Sequence, residues 1–165
     1  MSDTTHRIQS FLTDVEDFHR KFELEYDGGP RELPRDLFLF RMGFMMEELA
    51  EYAISAGYTH IARQLNELHE HIKKENRWLT SQNEGGRNLE VQFDSLIDLA
   101  YVLLGTVHLH GVDFHEGWRR VHGANMKKVR VENLSDSKRV SKYDVVKPRG
   151  WTPPDLSDLV KEQDE

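Results

Sequence analysis

The chain has 165 residues, a length that predicts a single domain, residues 1–165, with a core over about 5–130 and a tail over 131–165. Lysine and arginine number 22 and aspartate and glutamate 29, and the net charge of −7 argues against a general nucleic-acid binder. There is neither an apolar run of membrane-spanning length nor a signal peptide, so we expect a cytoplasmic protein without a membrane partner. The absence of cysteine excludes disulfides and thiolate metal sites.

Five helices are predicted in chain order from the spacing of apolar residues and from the residues that begin and end helices. Their expected ranges are about 5–24, 35–56, 59–79, 89–110 and 113–129. Gly57 and Gly111 are typical helix ends, and Asp113 with Glu116 resembles a capping box. Prolines near the end of the chain prevent a helix there, and no strand alternation is evident. The sequence therefore predicts an all-α bundle with an irregular C-terminal tail.

Acidic residues interrupt two helices that are otherwise apolar. Glu47, Glu48 and Glu51 share one face of the second helix, whose apolar residues run nearly all the way round it. Asp94 and Asp98 are four residues apart in the equally apolar fourth helix. We expect both helices to be buried, and burial of unpaired carboxylates is costly. Either acidic pattern alone is also common on surface helices, but the two together favour a site for hard cations, Mg²⁺ or Mn²⁺ as a substitute.

Positive charge is concentrated after the fifth helix begins. Residues 119–149 contain ten basic and three acidic residues, a net charge of +7. This segment is either a solvated helix end and tail or a surface that meets a small anion. The chain contains no Gly-rich phosphate loop, so nucleotide chemistry here would depend on a metal. Three histidines of the third helix are expected to face solvent: His60, His69 and His71.

Four segments together resemble a known group of proteins: EELAE, DSLIDLAYVLLGT, GVDFHEGWRRVHGANMKK and KPRGWTPPDL. The ordered set is similar to the all-α nucleoside triphosphate pyrophosphatases, a superfamily of MazG-like proteins, phosphoribosyl-ATP pyrophosphohydrolases and dimeric dUTPases. The likeness is greatest to the single-domain MazG-like branch with dUTP pyrophosphatase activity, and it extends from VEDFHRKF to PPDL. It implies a homodimer or homotetramer and Mg²⁺-dependent cleavage between the α and β phosphates, with dUTP or a purine nucleotide (dGTP or dATP) as substrate.

The resemblance also implies roles for individual residues. Glu48, Glu51 and Asp98 match the metal-ligand pattern of the superfamily. Ser95 stands where that pattern has Glu, and Asp94 is assigned as the fourth ligand instead. Glu47 would orient or deprotonate the attacking water. The residues implied in substrate binding are, for phosphate or sugar, Asn125, Lys128 and Lys147, and for the base, His19 and Phe22.

Two alternatives remain open at this stage. The departure at Ser95 favours a non-catalytic helical dimer that binds a nucleotide or a protein partner. Hydrolysis of phosphoribosyl-ATP is a further possibility, which ranks lower because members of that branch are usually shorter and lack this tail. More residues separate Glu51 from Asp94 along the chain than the superfamily leads us to expect, and the polar loop 80–88 is interpreted as an insertion.

Overall fold

The computed structural model describes residues 2–78, 88–137, 139, 141 and 143–161. It contains five α-helices in this order: α1 (Ser2–Lys21), α2 (Arg35–Ser55), α3 (Thr59–Trp78), α4 (Leu89–His110) and α5 (Phe114–Asn125). Two short strands, β1 (Val129–Arg130) and β2 (Val145–Val146), and two 3₁₀ turns (Leu134–Asp136 and Ser157–Leu159) follow. The predicted all-α class is confirmed. Most of the polar loop 80–88, the end of the third helix at Leu79, and Lys138 and Lys142 lie outside the described residues.

The helix ends follow from local chemistry. Gly57 and Gly111 adopt φ values of 85° and 67°, the left-handed conformation in which a side chain would be strained. At the start of α5 the Asp113 carboxylate accepts a hydrogen bond from the Glu116 amide at 3.1 Å. The Glu116 side chain binds arginines of α5 instead of completing a capping box. The predicted boundaries are therefore confirmed to within a few residues, and α5 ends earlier than expected.

The described chain divides into two compact units. Unit 1 comprises Met1–Gly29, Glu90–Ser137 and Lys142–Glu165, and unit 2 comprises Pro30–Leu89 and Lys138–Ser141. Unit 2 is built on the packing of α2 against α3, with small residues at the contact: Ala50, Ala53 and Ala62. Small side chains let two helix backbones approach closely, and Leu65 packs against the edge of this cluster.

A second close approach in unit 2 joins Gly43 of α2 and His69 of α3. A Cβ atom added at Gly43 would lie 2.7 Å from Cδ2 and Nε2 of His69. His69 is only 8% exposed, so the prediction that it faces solvent is wrong. The polar sequence around His69 suggested an outward orientation, but the missing side chain at Gly43 provides the space that its ring fills.

Aromatic packing joins α1 to α5 in unit 1. The Phe11 ring lies 5.3 Å from the Phe114 ring in an edge-to-face arrangement and 4.9 Å from the Trp118 ring. The Trp118 indole N–H donates to the Asp14 carboxylate at 2.7 Å. This bond gives the partly buried indole a polar partner and fixes the register of the two helices.

Helix α1 ends at a left-handed residue that is not glycine. Glu23 has φ of 54°, and the Leu24 amide donates to the His19 carbonyl at 2.8 Å, as in a helix-terminating Schellman motif. The conformation strains any residue that carries a Cβ atom. Arg130 of β1 compensates, because its guanidinium donates to the Phe22 carbonyl at 2.9 Å and to the Glu23 carboxylate at 2.6 Å.

The C-terminal tail is fastened to α5 at two points. The Trp151 indole N–H donates to the Ala124 carbonyl at 2.8 Å. Arg120 donates to both carboxylate oxygens of Asp158, at 2.5 and 2.8 Å, and to the Asp155 carbonyl at 2.8 Å. The tail, irregular as predicted, is therefore ordered by specific contacts over the part that the structure describes.

Helix α4 contradicts the expected burial. It has no buried residue, and Tyr101 and Leu109 are 78% and 87% exposed. Helix α2 is also less buried than predicted, since Phe38 and Leu49 are exposed. The composition of the two helices shows that their apolar surfaces are unfavourable in water, but it does not show which other surface would bury them.

Within the described residues no single helix is long and apolar enough to span a membrane, and only α4 and α5 together, bent by 116°, pass such a test.

Candidate active site

The three acids of α2 lie in unit 2 but differ in their surroundings. Glu48 and Glu51 are exposed, whereas the Glu47 side chain is 31% exposed. Positions 47 and 51 are one helical turn apart, as are positions 48 and 51, so the three residues belong to one face of α2. The helix thus supplies the acidic surface that the sequence predicted, although Glu48 and Glu51 are not buried.

The two acids of α4 belong to unit 1. Asp94 and Asp98 are both exposed and one helical turn apart. The intervening Ser95 hydroxyl donates to the Val91 carbonyl of the same helix at 2.9 Å. Ser95 therefore binds its own helix backbone, and Asp94 and Asp98 are the acids that this part of α4 contributes.

The structure describes the two acidic pairs separately, one in each unit. The described residues contain no group of three or more histidine, aspartate or glutamate side chains that could hold a metal ion. The expectation that the acids are buried is wrong for Glu48, Glu51, Asp94 and Asp98, all of which are exposed. The burial argument for a metal therefore fails, and what remains is the chemistry of the donors, which are all carboxylate oxygens.

Two predicted phosphate-binding lysines lie at one end of the small antiparallel ladder in unit 1. Val129 pairs with Val146 and Arg130 with Val145. Lys128 directly precedes β1 and Lys147 directly follows β2, so the same register places these two lysines opposite each other. The Lys147 ammonium lies 4.7 Å from the centre of the Trp151 ring, a cation–π contact that orients it. The sequence did not predict these strands, because two-residue strands carry no alternation.

Asn125 stands next to this lysine pair along the chain. It is the last residue of α5, and its carbonyl accepts a hydrogen bond from the Lys128 amide at 3.0 Å. This turn leads directly into β1. The three residues predicted to contact phosphate or sugar thus lie at the end of α5 and beside the two-stranded ladder, all within unit 1.

The residues predicted to contact the base lie at the end of α1, also in unit 1. Phe22 is 3% exposed, and its ring centre lies 4.6 Å from that of Phe18. The protein's own side chains therefore enclose the Phe22 ring, as in an ordinary core. His19 is partly exposed and lies on the preceding turn of α1.

Arginines of the basic segment are engaged with acids of the protein itself. Arg119 and Arg120 bind Glu116, and Arg120 also binds Asp158. Hydrogen bonds lower the pKa of Glu116 to about 2, with the largest effect from Arg119 and the next from Arg120. A hydrogen bond from Arg120 likewise lowers the pKa of Asp158. Two arginines of the basic segment are thus paired with acids of the protein itself, and one of them, Arg120, holds the tail against α5.

Sequence reasoning missed one further cation, Arg139. Its guanidinium binds Glu47 through two hydrogen bonds, although the two residues are 92 positions apart. In the sequence, Arg139 stands out only as one of the ten basic residues of the segment 119–149. A contact between positions so far apart leaves no local signal in one sequence. The close approach of α3 to Gly43 did have a signal, because a glycine inside an apolar helix often marks a close packing contact.

Comparison with known proteins identifies the family of the chain. The family model of phosphoribosyl-ATP pyrophosphohydrolase matches residues 15–125, about two thirds of the chain. The matched range includes all five predicted acids and ends at Asn125, while Lys128 and Lys147 lie beyond it. No curated protein and no solved structure matches the chain. The chain belongs to the phosphoribosyl-ATP pyrophosphohydrolase family, within the superfamily of MazG-like nucleoside triphosphate pyrophosphatases, and it is a pyrophosphohydrolase that acts on phosphoric anhydrides.

Proposed function

We propose that the protein cleaves the anhydride between the α and β phosphates of a nucleoside triphosphate, with Mg²⁺ as cofactor, to give a nucleoside monophosphate and pyrophosphate. The observation that carries this proposal is the family match, because its range contains both acidic pairs. The reaction requires cations to offset the charge of the triphosphate and a group to handle the proton of the attacking water. The chain has candidates for both tasks.

The donor chemistry of the acids fits Mg²⁺, with Mn²⁺ as a possible substitute. Glu48, Glu51, Asp94 and Asp98 offer only carboxylate oxygens, the ligands that hard divalent cations prefer. These four residues are the metal ligands that we propose. The metal would supply charge neutralisation at the phosphate oxygens.

The remaining steps belong to the chain's own residues. Glu47, beside Glu48, would orient the attacking water or accept its proton. Lys128 and Lys147 would bind phosphate oxygens, and Asn125 would bind sugar or phosphate. Lysine ammonium groups donate charge-assisted hydrogen bonds to phosphate oxygens, and these two lysines flank the paired strands in one register. The register of β1 and β2 therefore supports a phosphate site at the two lysines.

Two substrate classes merit direct comparison. The sequence motifs favour dUTP or a purine deoxynucleotide, with His19 predicted to pack on the base and a role in control of the nucleotide pool. The matching family model bears the name of phosphoribosyl-ATP pyrophosphohydrolase, and this observation favours phosphoribosyl-ATP as the second candidate. Both substrates would be cleaved at the same anhydride. The described Phe22 ring is enclosed by the core, so base selection by Phe22 has less support than selection by His19.

The proposed assembly is a homodimer or homotetramer in the cytoplasm, without nucleic-acid or membrane partners. The exposed apolar surface of α4 supports self-association, because large apolar surfaces are unfavourable in water. Light scattering with size-exclusion chromatography would test this, with charged substitutions of Tyr101 and Leu104 expected to dissociate the assembly. A wild-type chain that is monomeric at all concentrations would contradict it.

The decisive experiment is a substrate panel with detection of pyrophosphate. The panel includes the four deoxynucleoside triphosphates, dUTP, ATP and phosphoribosyl-ATP, each with Mg²⁺, with Mn²⁺ and with EDTA. We expect pyrophosphate from at least one substrate, its loss with EDTA, and a large loss of kcat in Glu48→Gln and Asp98→Asn. Glu67→Gln, which changes an exposed glutamate of α3 outside the predicted site, is the matched control and should retain activity.

The non-catalytic alternative predicts a different result. It expects a nucleotide with a non-hydrolysable α–β bridge to bind in calorimetry while no substrate of the panel releases pyrophosphate. Binding without turnover under every metal condition would therefore contradict the proposed reaction and favour a nucleotide-binding dimer. Release of phosphate in place of pyrophosphate would instead show cleavage at another anhydride.

A further inference from the structure

Arg139 makes a specific contact with the acidic surface of α2. Its Nε donates to Oε2 of Glu47 at 2.8 Å, and its Nη2 donates to Oε1 at 3.0 Å. The side chains of Arg139 and Glu47 are 17% and 31% exposed, so water screens this pair less than an ordinary surface pair. The fork of the guanidinium engages both carboxylate oxygens and thereby fixes the plane of the Glu47 carboxylate.

An aromatic ring holds the guanidinium in place. The Cζ atom of Arg139 lies 4.3 Å from the centre of the Phe44 ring. Phe44 precedes Glu47 by three residues on α2, so the ring and the carboxylate share one face of the helix. Planar stacking together with two-point hydrogen bonding is a combination that arginine provides and lysine does not.

The neighbouring His69 of α3 does not replace this positive charge. Burial is the main cause that lowers the pKa of His69, followed by the nearby Lys73; Glu47 and Glu70 oppose this, and Arg139 adds the least to the lowering. Near neutral pH the His69 ring is therefore neutral. Among these neighbours, it is Arg139 that places a permanent positive charge against Glu47.

We infer that Arg139 is a positioning residue for the proposed reaction, one that holds Glu47 by both carboxylate oxygens and keeps it separate from the metal-binding role of Glu48 and Glu51. The inference rests on the proposed function for its catalytic part. Glu47 then has one fixed orientation, and the metal binds two carboxylates of α2 rather than three. Arg139 itself acts through Glu47 and does not contact the reacting atoms.

Removal of the guanidinium should have two separable effects. In Arg139→Ala, Glu47 becomes a mobile, uncompensated carboxylate beside the metal ligands, and one additional negative charge near a divalent cation should tighten Mn²⁺ binding by about tenfold. The loss of orientation should lower kcat by roughly 10- to 100-fold with KM nearly unchanged. Arg139→Lys should give intermediate values, because lysine keeps the charge but loses the fork and the stacking.

The experiment measures Mn²⁺ binding by electron paramagnetic resonance and steady-state kinetics with the best substrate of the panel. The variants are Arg139→Ala, Arg139→Lys, Glu47→Gln and the Arg139→Ala/Glu47→Gln double variant. The double variant should return to wild-type Mn²⁺ affinity, because the charge released by the first change is removed by the second. Arg63→Ala is the matched control, since it breaks the exposed Arg63–Glu67 pair of α3 in the same unit.

Several outcomes would overturn the inference. One is unchanged Mn²⁺ affinity and kcat in both Arg139 variants. Another is a rise in KM at constant kcat, which would assign Arg139 to direct substrate binding. A third is a Mn²⁺ affinity in the double variant that equals that of Arg139→Ala. If wild type releases no pyrophosphate, the proposed function fails, and the Mn²⁺ measurements still decide whether Arg139 controls Glu47.

Discussion

The contact between Gly43 and His69 allows a sharp test of the packing in unit 2. Replacement of Gly43 by alanine would place its Cβ 2.7 Å from two atoms of the His69 ring, whereas ordinary contacts begin at 3.4 Å. The ring would have to move by at least 0.7 Å, the difference between those two distances. His69 is buried, so this movement disturbs its neighbours, and overpacking of this kind costs about 1–3 kcal/mol.

The helix propensity of alanine opposes this cost. Alanine is favoured over glycine inside a helix by about 1 kcal/mol. We therefore expect Gly43→Ala to destabilise the wild-type protein by about 1 kcal/mol net, since the packing cost exceeds the propensity gain. In an His69→Ala background the clash is absent, and the same substitution should stabilise by about 1 kcal/mol.

Urea unfolding followed by circular dichroism measures these differences, with equal m-values as a check on the analysis. Gly123→Ala in α5 is the control, because a Cβ added there meets no atom within 4 Å and the change should stabilise modestly. The diagnostic result is that Gly43→Ala lowers the free energy of unfolding of wild type and raises that of His69→Ala. If Gly43→Ala stabilises both wild type and His69→Ala, the tight packing of α2 against α3 at this point is refuted.

Three further predictions concern unit 1. Because hydrogen bonds from Arg119 and Arg120 lower the pKa of Glu116 from 4.5 to about 2, its stabilisation is complete above the ordinary value and is lost as pH falls towards about 2. Glu116→Gln should therefore flatten the dependence of the thermal midpoint on pH in that window, and an unchanged acid limb would contradict the pairing. Trp118→Phe should lower the free energy of unfolding in urea by about 1.5–3 kcal/mol, because it leaves the Asp14 carboxylate without its indole donor. Asp14→Asn should then destabilise the Trp118→Phe variant less than it destabilises wild type, and equal effects would contradict the bond. Glu23→Gly should be more stable than Glu23→Ala by about 1 kcal/mol. Both variants lose the pair with Arg130, but only glycine adopts φ of 54° without strain. Equal stabilities of the two variants would argue against the left-handed helix end.

Local signals in the sequence predicted the helices well. The bounds of α4 agree at both ends, and Gly57, Gly111 and Asp113 act at helix ends as expected. These features depend on a few neighbouring residues, so one sequence contains them. The family was also recognisable, because its motifs are long and occur in a fixed order.

Contacts between distant positions could not be predicted in the same way. Apolar periodicity shows which helix surface needs cover, but α4 demonstrates that it does not identify the covering surface within the chain. The pairing of Arg139 with Glu47 spans 92 positions, and the two-residue strands are too short for any pattern. His69 was misread because its neighbours are polar, while the space for its ring comes from a glycine on another helix.

The ladder of β1 and β2 has a consequence for how this protein tolerates changes in chain length. In an antiparallel pair, partner positions are set by the hydrogen bonds between the strands and not by the length of the connecting segment. Insertions or deletions between Arg130 and Val145 therefore leave Lys128 facing Lys147. A single-residue insertion within either strand would shift this register, whereas a change in the length of the connection preserves it but has to keep Arg139 against Glu47.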